Sequence, residues 1–129
     1  MDNKFDVVIV GTGAAGLYAA LNFPESVNIL LVSKRELQLS NSSLAQGGVA
    51  CVLDTVHDSY KLHITDTLIA GKYKNTLSAV EKLVTEGPSD VLKIKDLGVD
   101  FDLNEDGTMC KTLEAGHSRN RIVHHKDST

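Results

Sequence analysis

Two apolar runs with a helical segment between them open the chain. Residues 5–10, FDVVIV, form a β-branched run closed by glycine, which predicts a buried strand of a parallel sheet. Residues 14–23, AAGLYAALNF, put Leu17, Ala20 and Leu21 on one helical face, and Pro24 stops the helix. Residues 27–32, VNILLV, predict a second buried strand. Together they make one βαβ-type unit, whose parallel strands imply a right-handed crossover.

A polar stretch rich in small residues follows, SNSSLAQGG at 40–48, and the apolar residues 49–53 then predict a short strand. Residues 58–70 carry Leu62, Thr65, Leu68 and Ile69 at helical spacing, with Gly71 as the C-cap. Residues 76–86 predict a helix with Ala79, Val80, Leu83 and Val84 inward. Gly87 and Pro88 end that helix and start another, because proline suits a first helical turn; Val91, Ile94 and Leu97 carry the new one to Gly98. Residues 99–113 alternate around an EDG turn and predict a β-hairpin. The fold class is α/β, without internal repeat or linker.

Composition narrows the function classes. A length of 129 residues allows one modest domain, and a net charge of -4 argues against nucleic acid or an anionic membrane as the main partner. No apolar run approaches the roughly 20 residues of a membrane-spanning helix. The N-terminus runs from one lysine directly into a strand and glycines, without a cleavable signal, which places the chain in the cytoplasm. Cys51 and Cys110 lack metal-ligand spacing and read as ordinary buried or half-buried thiols. No Cys/His/acid cluster predicts a metal, and no Ser/His/Asp set predicts hydrolysis.

The first candidate chemistry is VGTGAAG. Gly11, Gly13 and Gly16 follow a strand and open a helix in GxGxxG spacing. Gly11 permits the tight turn, Gly13 lets a pyrophosphate approach the backbone, and Gly16 lets the helix pack against the strand. Free N–H groups at the helix start then face an anion, with the helix dipole behind them. An acid usually ends the second strand and binds the adenosine ribose; here Ser33 holds that place, followed by Lys34, Arg35 and Glu36. Lys34 would bond the adenosine part or offset phosphate charge, and Glu36 reads as a solvated loop acid. From this unit alone FAD, NAD and NADP all remain open. The second candidate is Asn41, Ser42, Ser43, Leu44, Ala45, Gln46, Gly47 and Gly48, which leave the C-terminal edge of the second strand, where dinucleotides lie.

GTGAAG, SSLAQGGVA, HITDTLIAG and LEAGHSRNRIVHHKD, in this order, resemble the N-terminal part of the L-aspartate oxidase family. That family is a branch of the flavoproteins of succinate dehydrogenase and fumarate reductase. The resemblance implies the N-terminal, incomplete part of a Rossmann-like FAD-binding domain, with the rest of that domain, a capping domain and a helical domain lying outside the chain. It implies FAD as cofactor, with Thr12 to Ala15 at the pyrophosphate, Lys34 on the adenosine side and Asn41 to Gly48 around the flavin. Glu114 corresponds to the active-site glutamate, and His117 to Arg121 match the motif after it. The implied reaction oxidises L-aspartate, a dicarboxylate, to iminoaspartate for quinolinate and NAD synthesis, with dioxygen or fumarate as electron acceptor and quinolinate synthase as a possible partner.

Two positions depart from the pattern. Asn41 stands where respiratory relatives carry the histidine that bonds covalently to flavin, so the resemblance implies noncovalent FAD. Ala115 stands where a glycine is expected, and a positive φ there would cost about 1 kcal/mol. The alternatives are a fumarate reductase-like enzyme for another dicarboxylate, a nicotinamide-binding module, and a non-catalytic nucleotide-binding domain. Arg119 and Arg121 read either as carboxylate or phosphate ligands or as members of a salt-bridged loop. Adjacent His124 and His125 would point to opposite faces of a strand, and His57 and His63 read as structural or exposed. The end, RIVHHKDST, reads as cut in mid-element. A truncated chain of this kind is expected to bind little or no FAD, to lack turnover and to self-associate through exposed apolar surface.

Overall fold

A computed structural model describes residues 4–36, 40–45 and 47–126. The chain divides into two compact units, Met1–Ala45 and Gln46–Thr129.

The first unit contains β1 (Val7–Val10), α1 (Ala14–Leu21) and β2 (Ile29–Val32). The strands pair in parallel, Val7 opposite Ile29 and Val10 opposite Val32, as the apolar runs predict. Asp6 extends the pairing: its N–H donates to the Asn28 carbonyl and its carboxylate accepts from the Asn28 N–H, both at 2.9 Å. At the other end Gly11 N–H donates to the Val32 carbonyl at 2.8 Å. Burial departs from expectation. Val7 and Ile9 are half-buried while Val8 and Val10 are exposed, so β1 is covered on one face rather than two. α1 covers the Ile9 side, where a Cβ on Gly16 would lie 3.5 Å from the Ile9 side chain. α1 itself buries no residue fully, and Leu17 and Leu21 stay exposed.

The second unit contains β3 (Val49–Ala50), α2 (Tyr60–Ala70), α3 (Leu77–Asp96) and β4 (Ile122–Val123). The expected strand at 49–53 is two residues long and pairs antiparallel with β4, Val49 opposite Val123. Thr112 bridges the other edge of β4, exchanging backbone bonds with Ile122 at 2.9 and 3.2 Å. The hairpin forms only at its tip. Leu103 bridges Met109, Asn104 N–H donates to the Thr108 carbonyl at 2.8 Å, and Gly107 turns the chain with φ +80°. The core joins Cys51, Val91, Phe101, Met109 and Val123, with Leu53 and Ile94 packed against it. Burial pushes the Cys51 thiol up to about 11, and both Cys51 and Cys110 are free.

α2 begins after Ser59, whose hydroxyl accepts from Leu62 N–H at 3.2 Å. The residues at helical spacing do not all turn inward: Leu62 and Leu68 are half-buried, Thr65 and Ile69 are exposed, and His63 is the buried position. The reason is the partner of that face, a buried arginine described below, which attracts polar rather than apolar groups. Gly71 is the C-cap as expected, but with φ -78°; the left-handed residues are Lys72 and Tyr73. Among the described residues no helix is long and apolar enough to cross a membrane.

The break at Gly87-Pro88 does not occur. α3 runs unbroken through Pro88, with Val80, Val84 and Val91 buried on one stripe and Ala79, Leu83 and Leu97 exposed. Proline withholds the N–H that the Val84 carbonyl would accept. Packing of Val84 and Val91 on either side of it outweighs that loss and holds both segments on one axis. Just past the proline, the Ser89 hydroxyl donates to the Glu86 carbonyl at 2.7 Å. Pro88→Ala should restore the missing bond and stabilise the chain by about 1–3 kcal/mol. Urea denaturation checks this, and an unchanged or lowered midpoint would mean that the ring itself contributes packing.

Candidate functional site

The glycine-rich turn has the geometry of an anion cradle. Gly11 leaves β1 with φ +112°, which a side chain rarely adopts. A Cβ on Gly16 would fall 2.0 Å from the Gly11 carbonyl oxygen, so this glycine permits the close approach of helix and turn. A Cβ on Gly13 would meet the Ser42 hydroxyl at 3.0 Å, and that hydroxyl accepts from Ala14 N–H, also at 3.0 Å. The cradle already attracts an acceptor oxygen, as a phosphate site should. Ala15 is exposed in the same turn.

Thr12 is buried and donates its hydroxyl to Ser33 at 2.9 Å, tying the ends of the two strands together. Ser33 in turn donates to the Arg35 carbonyl at 2.5 Å, so its hydroxyl proton is engaged within the chain. Lys34 and Glu36 are exposed. Asn41 to Ala45 form a compact exposed turn, in which Leu44 N–H donates to the Ser40 carbonyl at 3.1 Å and Ser43 N–H to the Ser40 hydroxyl at 3.1 Å. Gln46 lies outside the described residues.

Gly47 and Gly48 serve different ends. Gly47 has φ +110° and open space around it. A Cβ on Gly48 would fall 2.2 Å from an Ile122 methyl and 2.7 Å from the Val123 carbonyl oxygen, so Gly48 is needed for β3 to lie against β4. Gly47, Glu114, Thr112, His124 and Lys126 line an open cavity of about 220 Å³. Two of the residues expected near the flavin, Gly47 and Glu114, therefore open onto the same cavity. Glu114 begins a turn closed by His117 N–H donating to its carbonyl at 3.2 Å. The positive φ of this turn, +85°, falls on Gly116 and not on Ala115, so the alanine carries no backbone strain. His124 Nδ1 faces Asp102 at 3.1 Å, whereas His125 Nδ1 contacts the Asp100 carbonyl; the two rings turn to different partners. Among the described residues no acidic, His and Cys group is arranged to hold a metal.

Sequence reasoning left Arg121 between two readings, and the salt-bridged one holds. Arg121 is fully buried, and its Nε and Nη2 donate to the two oxygens of Asp58, both at 2.8 Å. Nη1 donates to Asp66 at 2.5 Å and lies 3.2 Å from His117 Nδ1. The same Asp66 oxygen accepts the N–H and the hydroxyl of Ser118, each at 2.8 Å. His63 is buried beside this group, its ring 5.6 Å from that of His117. Arg119 instead is exposed, donates to the Ser118 carbonyl at 2.8 Å and lines a polar cavity of about 390 Å³ with Lys111 and Asp54. Asp58 and Asp66 were not singled out from the sequence; two acids near a helix start look like an ordinary solvated face.

A family model described as FAD binding domain matches residues 6–129. The chain belongs to this FAD-binding domain family. FAD is the cofactor, and the chemistry of the glycine-rich turn suits one of its phosphates to the extent that the Ala14 N–H there donates to an oxygen, the Ser42 hydroxyl. The L-aspartate oxidase of Clostridium perfringens is 48% identical over the whole chain, which spans 29% of that protein. The L-aspartate oxidase of Acinetobacter baylyi is 46% identical over 98% of the chain and 23% of its own length. Among solved structures, Mycobacterium smegmatis Sdh1 superposes with a TM-score of 0.89 at 31% identity, over 97% of this chain and 21% of that one. Escherichia coli quinol fumarate reductase FrdA also gives 0.89, at 29% identity, over 97% and 22%. The chain thus spans less than a third of the length of these relatives.

Burial opposes the charge on Asp58 and Asp66, and hydrogen bonds from Arg121, Ser59 and Ser118 outweigh it, holding both carboxyls below the usual carboxylate range. Lowered folded-state values add stability above the ordinary value near 4, and that stability is lost as pH falls through the lower folded values. Urea midpoints should therefore drop as pH falls below about 4, and drop less steeply in Asp66→Asn. An equal acid response in both proteins would mean that Asp66 is not one of the linked groups.

Proposed function

We propose that this chain forms the N-terminal part of the FAD domain of an L-aspartate oxidase, which oxidises L-aspartate to iminoaspartate ahead of quinolinate and NAD synthesis. The observation that carries this reading is the identity of 48% and 46% to L-aspartate oxidases, against 31% and 29% to the succinate dehydrogenase and fumarate reductase chains. The exposed face of β1, with Val8 and Val10, agrees with a sheet that further chain would cover, and in the isolated chain it favours self-association. Free Cys51 and Cys110 accord with a reducing, cytoplasmic setting.

Oxidation of an amino acid removes a hydride from Cα and a proton from the amino nitrogen. Bound FAD supplies the two-electron oxidant. Dioxygen or fumarate is the terminal acceptor in this reading, and quinolinate synthase is the candidate consumer of the product. Thr12 to Ala15 receive the pyrophosphate, with the α1 dipole behind them, while Ser33 and Lys34 stand on the adenosine side. Asn41 to Gly48 wrap the flavin end; Gly47, with no Cβ and open surroundings, lets backbone approach a flat ring. Glu114, exposed beside Gly47, holds the substrate amino group and takes its proton.

Purified full-length protein should turn over L-aspartate in preference to succinate or fumarate. Glu114→Gln should lower that turnover by about 10²-fold or more. Preference for succinate or fumarate would favour the fumarate reductase-like alternative instead, and unchanged turnover and affinity in the variant would take Glu114 out of its role. Because Asn41 cannot form the bond a histidine makes to flavin, denaturation of the full-length protein should release all of its FAD intact. Flavin absorbance retained on the denatured chain is the contrary result.

A further inference from the structure

The Glu114 side chain is exposed, and the region its carboxylate can reach is set by the backbone that carries it. That backbone is the turn from Glu114 to His117, within a loop whose base is the Thr112–Ile122 bridge. Beyond the turn the chain is gripped from outside the loop. Ser118 donates twice to one Asp66 oxygen, with both bonds at 2.8 Å, and Asp66 lies in the middle of α2, 52 residues away along the chain. The same oxygen accepts from Arg121 Nη1, which also contacts His117 Nδ1, so both residues after Gly116 are tied to one buried group. Three donors converging on one carboxylate oxygen make a directional clamp, since each bond restricts the same atom.

We propose that Asp66 and Ser118 are positioning residues, which hold the Glu114 turn in register with Gly47 and so set the placement of the substrate-facing carboxylate. This inference rests on the role given to Glu114 above. A clamp of this kind affects the reacting geometry more than the affinity for substrate, because misplacement of a reacting group by about 1 Å costs up to about 10²-fold in rate. Arg121 belongs to the same group but is a poor probe: without it Asp58 and Asp66 are left as buried, unpaired charges and folding itself suffers. Ser118 is the better one, because its hydroxyl can be removed at an exposed residue.

The test uses the FAD-loaded full-length protein with Ser118→Ala, Ser118→Thr, Glu114→Gln and the double variant Ser118→Ala with Glu114→Gln. Ser118→Ala should lower kcat per bound flavin by about tenfold with KM little changed. FAD content and the unfolding midpoint should stay near those of the parent. Ser118→Thr, which keeps the hydroxyl, should recover most of the rate. In the Glu114→Gln background Ser118→Ala should cost nothing further, because both act through one carboxylate. Amide hydrogen exchange should quicken at residues 114–118 in Ser118→Ala while α2 stays protected.

An unchanged kcat in Ser118→Ala, a full additional tenfold loss in the double variant, or activity lost only in proportion to FAD would overturn the inference. The single variants separate it from the reading beneath it. If Glu114→Gln is slow and Ser118→Ala is not, only the clamp fails. If Glu114→Gln works at the parent rate, the role of Glu114 fails and the clamp with it.

Discussion

The second unit depends on one buried cation. Arg121 is fully enclosed, and a guanidinium out of water costs several kcal/mol unless its donors are met. Asp58 meets it bidentately and Asp66 meets the remaining nitrogen. These two acids lie immediately before and within α2, while Arg121 immediately precedes β4. The pairing therefore decides which face of α2 turns inward, why His63 rather than Ile69 is buried, and where β4 enters. With β4 in place, Cys51 N–H bonds to the Arg121 carbonyl at 3.0 Å, and Val123 completes the apolar core. Apolar burial supplies the bulk driving force, and the ion pairs select the arrangement.

The glycines divide into those that permit close packing and those that supply a left-handed backbone. Gly16 and Gly48 have no space for a Cβ, because backbone or a methyl group stands within 3 Å of where it would be. Gly11, Gly47 and Gly116 have the backbone freedom of a positive φ instead. Gly13 is intermediate, facing the Ser42 hydroxyl across the turn. An adjacent pair such as Gly47 and Gly48 thus holds two separate constraints, one local and conformational, the other set by a strand 74 residues further on.

The parts of the fold that could be read in advance were those governed by near neighbours. The β-branched run before Gly11, the helix after it and the second strand form a short-range unit, and their parallel pairing follows from it. The hairpin turn at Gly107 was legible for the same reason, as was the cap position at Gly71. Pro88 misled because local propensity favours a break there, whereas Val84 and Val91, seven residues apart, share one buried stripe that favours continuity. Ala115 misled in the other direction: the turn needs one left-handed residue, and Gly116 supplies it.

The sequence by itself determined the glycine-rich turn and the parallel pair beside it, because both are written in residues close together in the chain, and membership of the FAD-binding domain family, because motifs spread along the whole chain carry it in order. Only the tertiary structure decided that Arg121 is spent on Asp58 and Asp66 and that Glu114 opens onto the cavity of Gly47. It also decided that Ser33 has its hydroxyl engaged by its neighbours. The physical reason is sharpest for Arg121. The fate of a polar side chain depends on which partner reaches it first, and for a buried charge that partner is brought by the folding of segments more than fifty residues apart.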